Sequence, residues 1–176
     1  MAKKEALREL QARLAARLQS ARSEGASAAW LAVQVGQGNF LLPLTHSGEI
    51  FPPGTLVPVP YAKSWFIGVV NLRGGLYGVV DLAGFLSHGA STGRTEQAWS
   101  QARLVTFNVE LELNCAVVVD SVLGLRRQDA FVRLERAPVG APHFFGQLLV
   151  DAQGVGWQEI DLRALSQSSD FLTIGA

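Results

Sequence analysis

The sequence predicts an all-β fold arranged as two similar small barrels, on three observations. First, 18 glycines among 176 residues supply the many turns such a chain needs. Second, the apolar residues from Trp30 onward fall in short runs broken by Gly, Pro, Asn or Asp. Third, the two halves rhyme: Val79-Val80-Asp81-Leu82 in one is echoed by Gln158-Glu159-Ile160-Asp161-Leu162 in the other.

The opening stretch departs from this pattern. From Ala2 to about Arg22, Leu7, Leu10, Leu14 and Leu18 recur at helical spacing, predicting an amphipathic helix within residues 1–25. Six basic against three acidic residues give this segment +3 and leave −3 for the rest, the total being zero. A docked or solvated helix accounts for it; a partner helix or a membrane-surface helix is the other reading, the last weakened by a stripe without Trp or Phe. Gly25-Ala26-Ser27 ends the helix.

Trp30–Val35 and Asn39–Leu44, joined by Gly36-Gln37-Gly38, predict a hairpin with Pro43 at an edge or bulge. His46 to Pro60 reads as a loop with short strand pieces, since Val57-Pro58-Val59-Pro60 is extended or turning. Phe66–Val70 and Leu76–Leu82 predict a second hairpin around Asn71-Leu72-Arg73-Gly74-Gly75, whose one charge is Arg73. Ser87 to Gln101 is polar and Gly-rich, a long loop where any boundary between halves belongs. Arg103–Phe107 and Leu111–Val119 form another β pair, Asp120-Ser121 turns into Val122–Leu125, and Arg136–Pro142 is irregular. Phe144–Val150 and Gly156–Ile160 make the last hairpin, and Asp161 caps a short closing helix. This gives a main domain over 28–168 and a C-terminal tail over 169–176.

Composition excludes several functions. At zero net charge and a pI near 6.8 no general field gathers nucleic acid. A single cysteine, Cys115, forms no internal disulfide, and its apolar neighbours predict a packed thiol in a reducing cytoplasm. Charges at Glu5, Arg8 and Glu9 interrupt what a signal peptide needs, and no run approaches a membrane span. A soluble, cytoplasmic protein is expected. His46, His88 and His143 sit in no catalytic motif, no spacing resembles a metal site, and the glycine pairs lack a phosphate-binding frame. Asp81 and Asp120, each ending an apolar strand, read as turn caps. No enzyme, cofactor or metal is expected. Arg73 is left open: either it pairs with a nearby carboxylate while Asn71 supports the turn, or its rigid fork is offered to a partner.

Phe66-Ile67-Gly68-Val69-Val70-Asn71-Leu72-Arg73-Gly74 with Val79-Val80-Asp81-Leu82 resembles the signature of the CheW family of chemotaxis adaptors, roughly f-x-x-G-v-x-N-L-R-G-x-x-x-P-v-x-D-L. Ser47-Gly48-Glu49-Ile50 is similar to its V-x-E-I element and Val117–Val122 to its v-D-x-V element. The resemblance runs from about Trp30 to Leu165. It implies two five-stranded barrels sharing a core, and a non-catalytic adaptor between a methyl-accepting receptor tip and a CheA-type histidine kinase. Such a protein reaches membrane-associated arrays through its partners. By position, Gly68, Asn71 and Arg73, with Ser47 and Glu49, would line the receptor groove; kinase contacts stay unassigned. Gly78 replaces the usual proline, Ser47 a valine and Ala116 a glycine. With the leading helix, these departures look most like the adaptors of twitching-motility systems that govern type IV pili. The competing class is a small barrel binding a ligand or oligonucleotide, against which the absence of a basic aromatic stripe counts.

Overall fold

The computed structural model describes residues 28–89 and 93–176. The amphipathic helix expected within 1–25 lies outside them.

Eleven strands among the described residues form two mixed sheets. The chain starts in a six-stranded sheet with β1 (Ala28–Val35) and β2 (Gly38–Pro43). It then crosses over to build all of a five-stranded sheet: β3 (Ser47–Phe51), β4 (Phe66–Leu72), β5 (Gly75–Asp81), β6 (Arg103–Phe107) and β7 (Cys115–Val119). It returns to the first sheet with β8 (Ser121–Arg127), β9 (Phe131–Glu135), β10 (Phe145–Asp151) and β11 (Gly156–Ile160). The orders are β8-β1-β2-β11-β10-β9 and β3-β6-β7-β5-β4.

These sheets correct the expected pair of five-stranded barrels in size, and they move the boundary between halves. The stretch 87–101 connects strands of one sheet; the crossings between sheets fall instead at Leu44–His46 and at Asp120. The reason is two parallel pairings, β2 with β11 and β5 with β7, which bring together segments far apart in the chain. Nor is that stretch all loop, because Thr95 accepts a hydrogen bond from Ala98 N at 3.2 Å and caps a helix, Glu96–Gln101. Pro43 closes an interior strand, not an edge: β11 pairs β2 only at Phe40 and Leu41, so the missing N–H falls beyond that ladder.

A central strand such as β7 reads as an unbroken apolar run because both of its faces are buried. Along β7, Cys115, Val117 and Val119 point into a core shared by the two sheets, while Ala116 and Val118 point into the five-stranded sheet's own core. Along β1, Leu31, Val33 and Val35 face the shared core and Ala32 faces a third cluster with Leu41, Leu149 and Trp157. Three apolar layers thus stand side by side.

The rhyme between halves survives as geometry. β5 runs through Asp81 into α1 (Leu82–Leu86) and β11 through Asp161 into α3 (Leu162–Ser166), with Glu96–Gln101 as α2 between them. Asp161 Oδ1 accepts from Arg163 N and Ala164 N, the expected cap. Residues 169–176 are not a free tail. Helix α4 (Ser169–Leu172) puts Phe171, 3% exposed, between Phe107 and Trp65 with both rings stacked on it, and Ala62 bridges Gly175. A large aromatic at that position gains too much by burial to stay in water.

Candidate functional site

The β4–β5 hairpin sets the site. Leu72 pairs with Gly75, which leaves a two-residue loop of Arg73 and Gly74 with φ of 50° and 84°. Positive φ at both loop positions is what a type I′ turn demands, and Asn or Gly ordinarily takes the first of them. Arg73 takes it here, in a region that costs a residue with a Cβ about 1 kcal/mol. Asn71 supports the turn by accepting from Gly74 N at 3.0 Å.

The guanidinium of Arg73 projects from this turn with 74% of its side chain exposed, Nη2 lying 2.9 Å from Glu49 Oε2. It also lies over the ring of Phe51, 5.7 Å from the centroid, which orients it. Glu49 is itself positioned by Thr106, whose buried Oγ1 accepts from Glu49 N at 2.8 Å and donates to Glu49 O at 3.2 Å. An ion pair this exposed contributes about 0–1 kcal/mol, so a partner's carboxylate can take Glu49's place at small cost.

Gly68 belongs to this region without facing outward. Its φ is 139°, and a Cβ there would lie 2.5 Å from the carbonyl oxygen of Val57. Its bareness lets Val57 cross close over β4, held by a reciprocal pair of 2.9 Å hydrogen bonds with Val69. Ser47 is brought near but turned in. It is 8% exposed and donates through Oγ to Pro43 O at 2.9 Å, so it sits beneath the surface that Glu49 occupies. Of the five expected site residues, Arg73, Glu49 and Asn71 are exposed, Arg73 and Glu49 as an ion pair and Asn71 as the support of the turn, while buried Gly68 and Ser47 shape the backbone below them.

Elsewhere the groups considered for chemistry are spent on structure. Cys115 is buried, and loss of solvation pushes its thiol up to about 12. His88 lies in the left-handed region at the end of α1, where its N–H and that of Gly89 bond back to Phe85 O and Gly84 O. His46 Nδ1 lies 3.3 Å from Asp161 Oδ1, and His143 packs edge-on against Phe144. Among the described residues, no group of three His, Cys, Asp or Glu is placed to hold a metal, and no helix is long and apolar enough to cross a membrane.

One cluster escaped the sequence reading. Asp81 puts no side-chain cap on the helix that follows it; its Oδ1 receives Arg94 Nη1 at 2.5 Å, while Arg94 Nε reaches Asp120 Oδ1 at 2.8 Å. Burial works against the Arg94 charge, but the bonds to Asp81 and then Asp120 outweigh it and raise the pKa above the ordinary arginine value. Two strand-end aspartates in need of a cation were the available signal. Asp120 also accepts from Gly36 N, the turn-capping role expected of it.

Residues 29–169 match the CheW-like domain. Among curated proteins, the chain is 30% identical over 114 residues to Protein PilI of Pseudomonas aeruginosa, covering 65% of this chain and 61% of that protein. To Protein FrzA of Myxococcus xanthus it is 34% identical over 94 residues, 53% of this chain and 55% of that protein. The match thus spans less than two thirds of either relative's length. Among solved structures, scaffolding protein TtCheW from Thermoanaerobacter tengcongensis superposes with a TM-score of 0.61 over 76% of this chain and 88% of that one; at 15% identity the likeness concerns the fold.

Proposed function

The chain belongs to the CheW-like domain family, and on that premise we propose that it is a cytoplasmic adaptor coupling a methyl-accepting receptor tip to a CheA-type histidine kinase. The family is non-catalytic, so the work is binding alone. Similarity to PilI supports placing it in a chemosensory system that governs type IV pili and twitching.

The observation that carries the receptor role is the backbone of Arg73. An arginine that spends conformational energy at φ 50° to stand 74% exposed is not selected for folding, because Asn or Gly would fold the same turn better. What arginine adds is a planar fork that can grip a carboxylate or a pair of carbonyls. Glu49 holds that fork in place until the receptor competes for it. Asn71 and Gly68 act by setting the turn and the strand beneath, and Ser47 by anchoring the start of β3.

The test is the variant Arg73→Asn. It relieves about 1 kcal/mol of backbone strain and loses an ion pair of about 0–1 kcal/mol, so stability is expected to hold or rise. Affinity for a purified receptor cytoplasmic tip is expected to fall about tenfold or more, and binding to the kinase regulatory domain to persist. Unchanged receptor affinity sinks the role of Arg73; binding of the wild type to neither partner sinks the adaptor reading.

A further inference from the structure

The two sheets meet through an apolar core, and apolar burial favours contact without fixing an angle. Directional contacts are needed for that, and Arg94 stands at the centre of one set of them. Its Nη1 donates to Asp81 Oδ1 at 2.5 Å and its Nε to Asp120 Oδ1 at 2.8 Å, two nitrogens serving two carboxylates. The side chains of Arg94 and Asp81 are 12% and 5% exposed, whereas Arg73 and Glu49 are 74% and 55% exposed, so water screens the first pair far less.

The two carboxylates stand at neighbouring strand ends of the five-stranded sheet, since β5 and β7 pair in parallel with Asp81 opposite Val118, and only Asp120 reaches on to the other sheet. Asp81 ends β5, inside the five-stranded sheet. Asp120 stands where the chain passes from β7 of that sheet to β8 of the other, with its N–H on Gln34 O at 2.9 Å. Its second oxygen, Oδ2, takes Gly36 N at 2.5 Å, and Gly36 is the turn of the β1–β2 hairpin in the six-stranded sheet. The run Asp81, Arg94, Asp120, Gly36 is therefore a continuous chain of charge-assisted hydrogen bonds from one sheet to the other. It stands at a cleft of about 340 Å³ walled by Val35 and Phe40 of the six-stranded sheet on one side and by Ala83 and Leu86 of α1, the helix that follows β5, on the other.

The equivalent aspartate of the rhyming half sharpens the point. Asp161 spends Oδ1 on the first amides of its own helix, and Asp81, in the same strand–Asp–Leu–helix setting, leaves its helix without a side-chain cap. Asp81 thus makes no side-chain cap on its helix, and the Arg94 fork gives its buried carboxylate a counter-charge.

We propose that Arg94 is a positioning residue: its guanidinium holds Asp120 beside Asp81, aimed at the β1–β2 turn, and through Asp120 it acts as a lock on the orientation of the six-stranded sheet against the five-stranded sheet. For an adaptor the consequence is that a receptor held at Arg73 and a kinase held elsewhere keep a constant geometry; that consequence rests on the adaptor reading, while the lock does not. Lysine cannot substitute, since one ammonium is a point charge and the two carboxylates need a fork.

The experiment measures orientation directly. Spin labels are placed through Leu76→Cys on β5 and Val132→Cys on β9, both more than 60% exposed and on different sheets, with buried Cys115 left as it is. In the otherwise wild-type chain, double electron–electron resonance is expected to give one narrow distance distribution. Arg94→Met, which keeps the stem and removes the fork, is expected to broaden or shift it, and to speed hydrogen exchange at the Gly36 amide about tenfold while amides of β7 keep their protection. Arg94→Lys, which retains the charge and so the better chance of folding, is expected to broaden it as well. Should Arg94→Met fail to fold, Arg94→Lys and the Arg94→Met, Asp81→Asn double variant, which removes the more buried of the two carboxylate charges, carry the same measurement. A distribution and a Gly36 exchange rate identical to wild type in a folded variant overturn the lock. Because neither readout involves a partner, they distinguish failure of the lock from failure of the adaptor reading.

Discussion

Replacing Gly68 with alanine probes the link between backbone and candidate site. The new Cβ would sit 2.5 Å from Val57 O and 3.0 Å from Val57 C, with Pro58 Cα at 3.3 Å. An ordinary carbon–oxygen approach is about 3.3 Å, so the Val57 segment must retreat by about 0.8 Å. Its two 2.9 Å hydrogen bonds with Val69 then open to about 3.7 Å, beyond useful range. Two such bonds contribute about 1 kcal/mol each, and an alanine at φ 139° adds about 1 kcal/mol of strain, for a loss of about 3 kcal/mol. In a chain of this size that lowers Tm by about 6–12 °C. Urea denaturation should show an earlier midpoint with the same slope, and the amides of Val57 and Val69 should exchange faster than those of β7. An unchanged midpoint with both amides still protected would refute the account of why glycine stands there. Receptor binding by this variant should weaken only as far as the hairpin is displaced, since Gly68 offers no side chain to a partner.

Further outcomes follow from the same geometry. Phe171→Ala should cost about 3–5 kcal/mol in chemical denaturation, as its ring lies between those of Phe107 and Trp65; a loss under 1 kcal/mol would mean that 169–176 is a dispensable tail after all. The Cys115 thiol, pushed up to about 12 by burial, should resist a thiol reagent at pH 8 in the native protein and react once urea unfolds it; rapid native reaction would contradict the burial. Asp151 accepts from Trp157 Nε1 at 3.0 Å and from the amides of Val155 and Gln153, and these bonds, Trp157 first, lower its pKa. Its contribution to stability is therefore present above the unfolded carboxylate pKa and is lost as pH falls through the lower folded value; Trp157→Phe should flatten that part of a stability–pH profile, and an unaltered profile would remove Asp151 as a source.

Most of what lies within a few residues was legible in the sequence. The β4–β5 hairpin was legible in the break at Asn71-Leu72-Arg73-Gly74-Gly75 between two apolar runs, though the strands pair further in than expected and leave only Arg73 and Gly74 as the loop. The β1–β2 and β10–β11 hairpins follow from apolar runs across Gly36-Gln37-Gly38 and Asp151–Gly154, and the Asp161 cap from its place before Leu162. The site was half legible: Arg73 and Asn71 stood out by pattern, but the inward turn of Ser47 and the hidden role of Gly68 depend on Pro43 and Val57, which reach them only in the fold.

Sequence by itself thus determined the turns, the hairpins and the family signature, all of which rest on interactions closed over short stretches of chain. Only the tertiary structure decided which sheet each strand joins, because the pairings of β2 with β11 and β5 with β7 and the crossing at Asp120 join segments far apart in the sequence. Runs such as Val117-Val118-Val119 fit either face of either sheet equally well, so local pattern carries no information about the partner. For the same reason Arg94 looked like one charge in a polar loop. Two carboxylates far apart in the sequence meet around it only once β5 and β7 have paired in parallel.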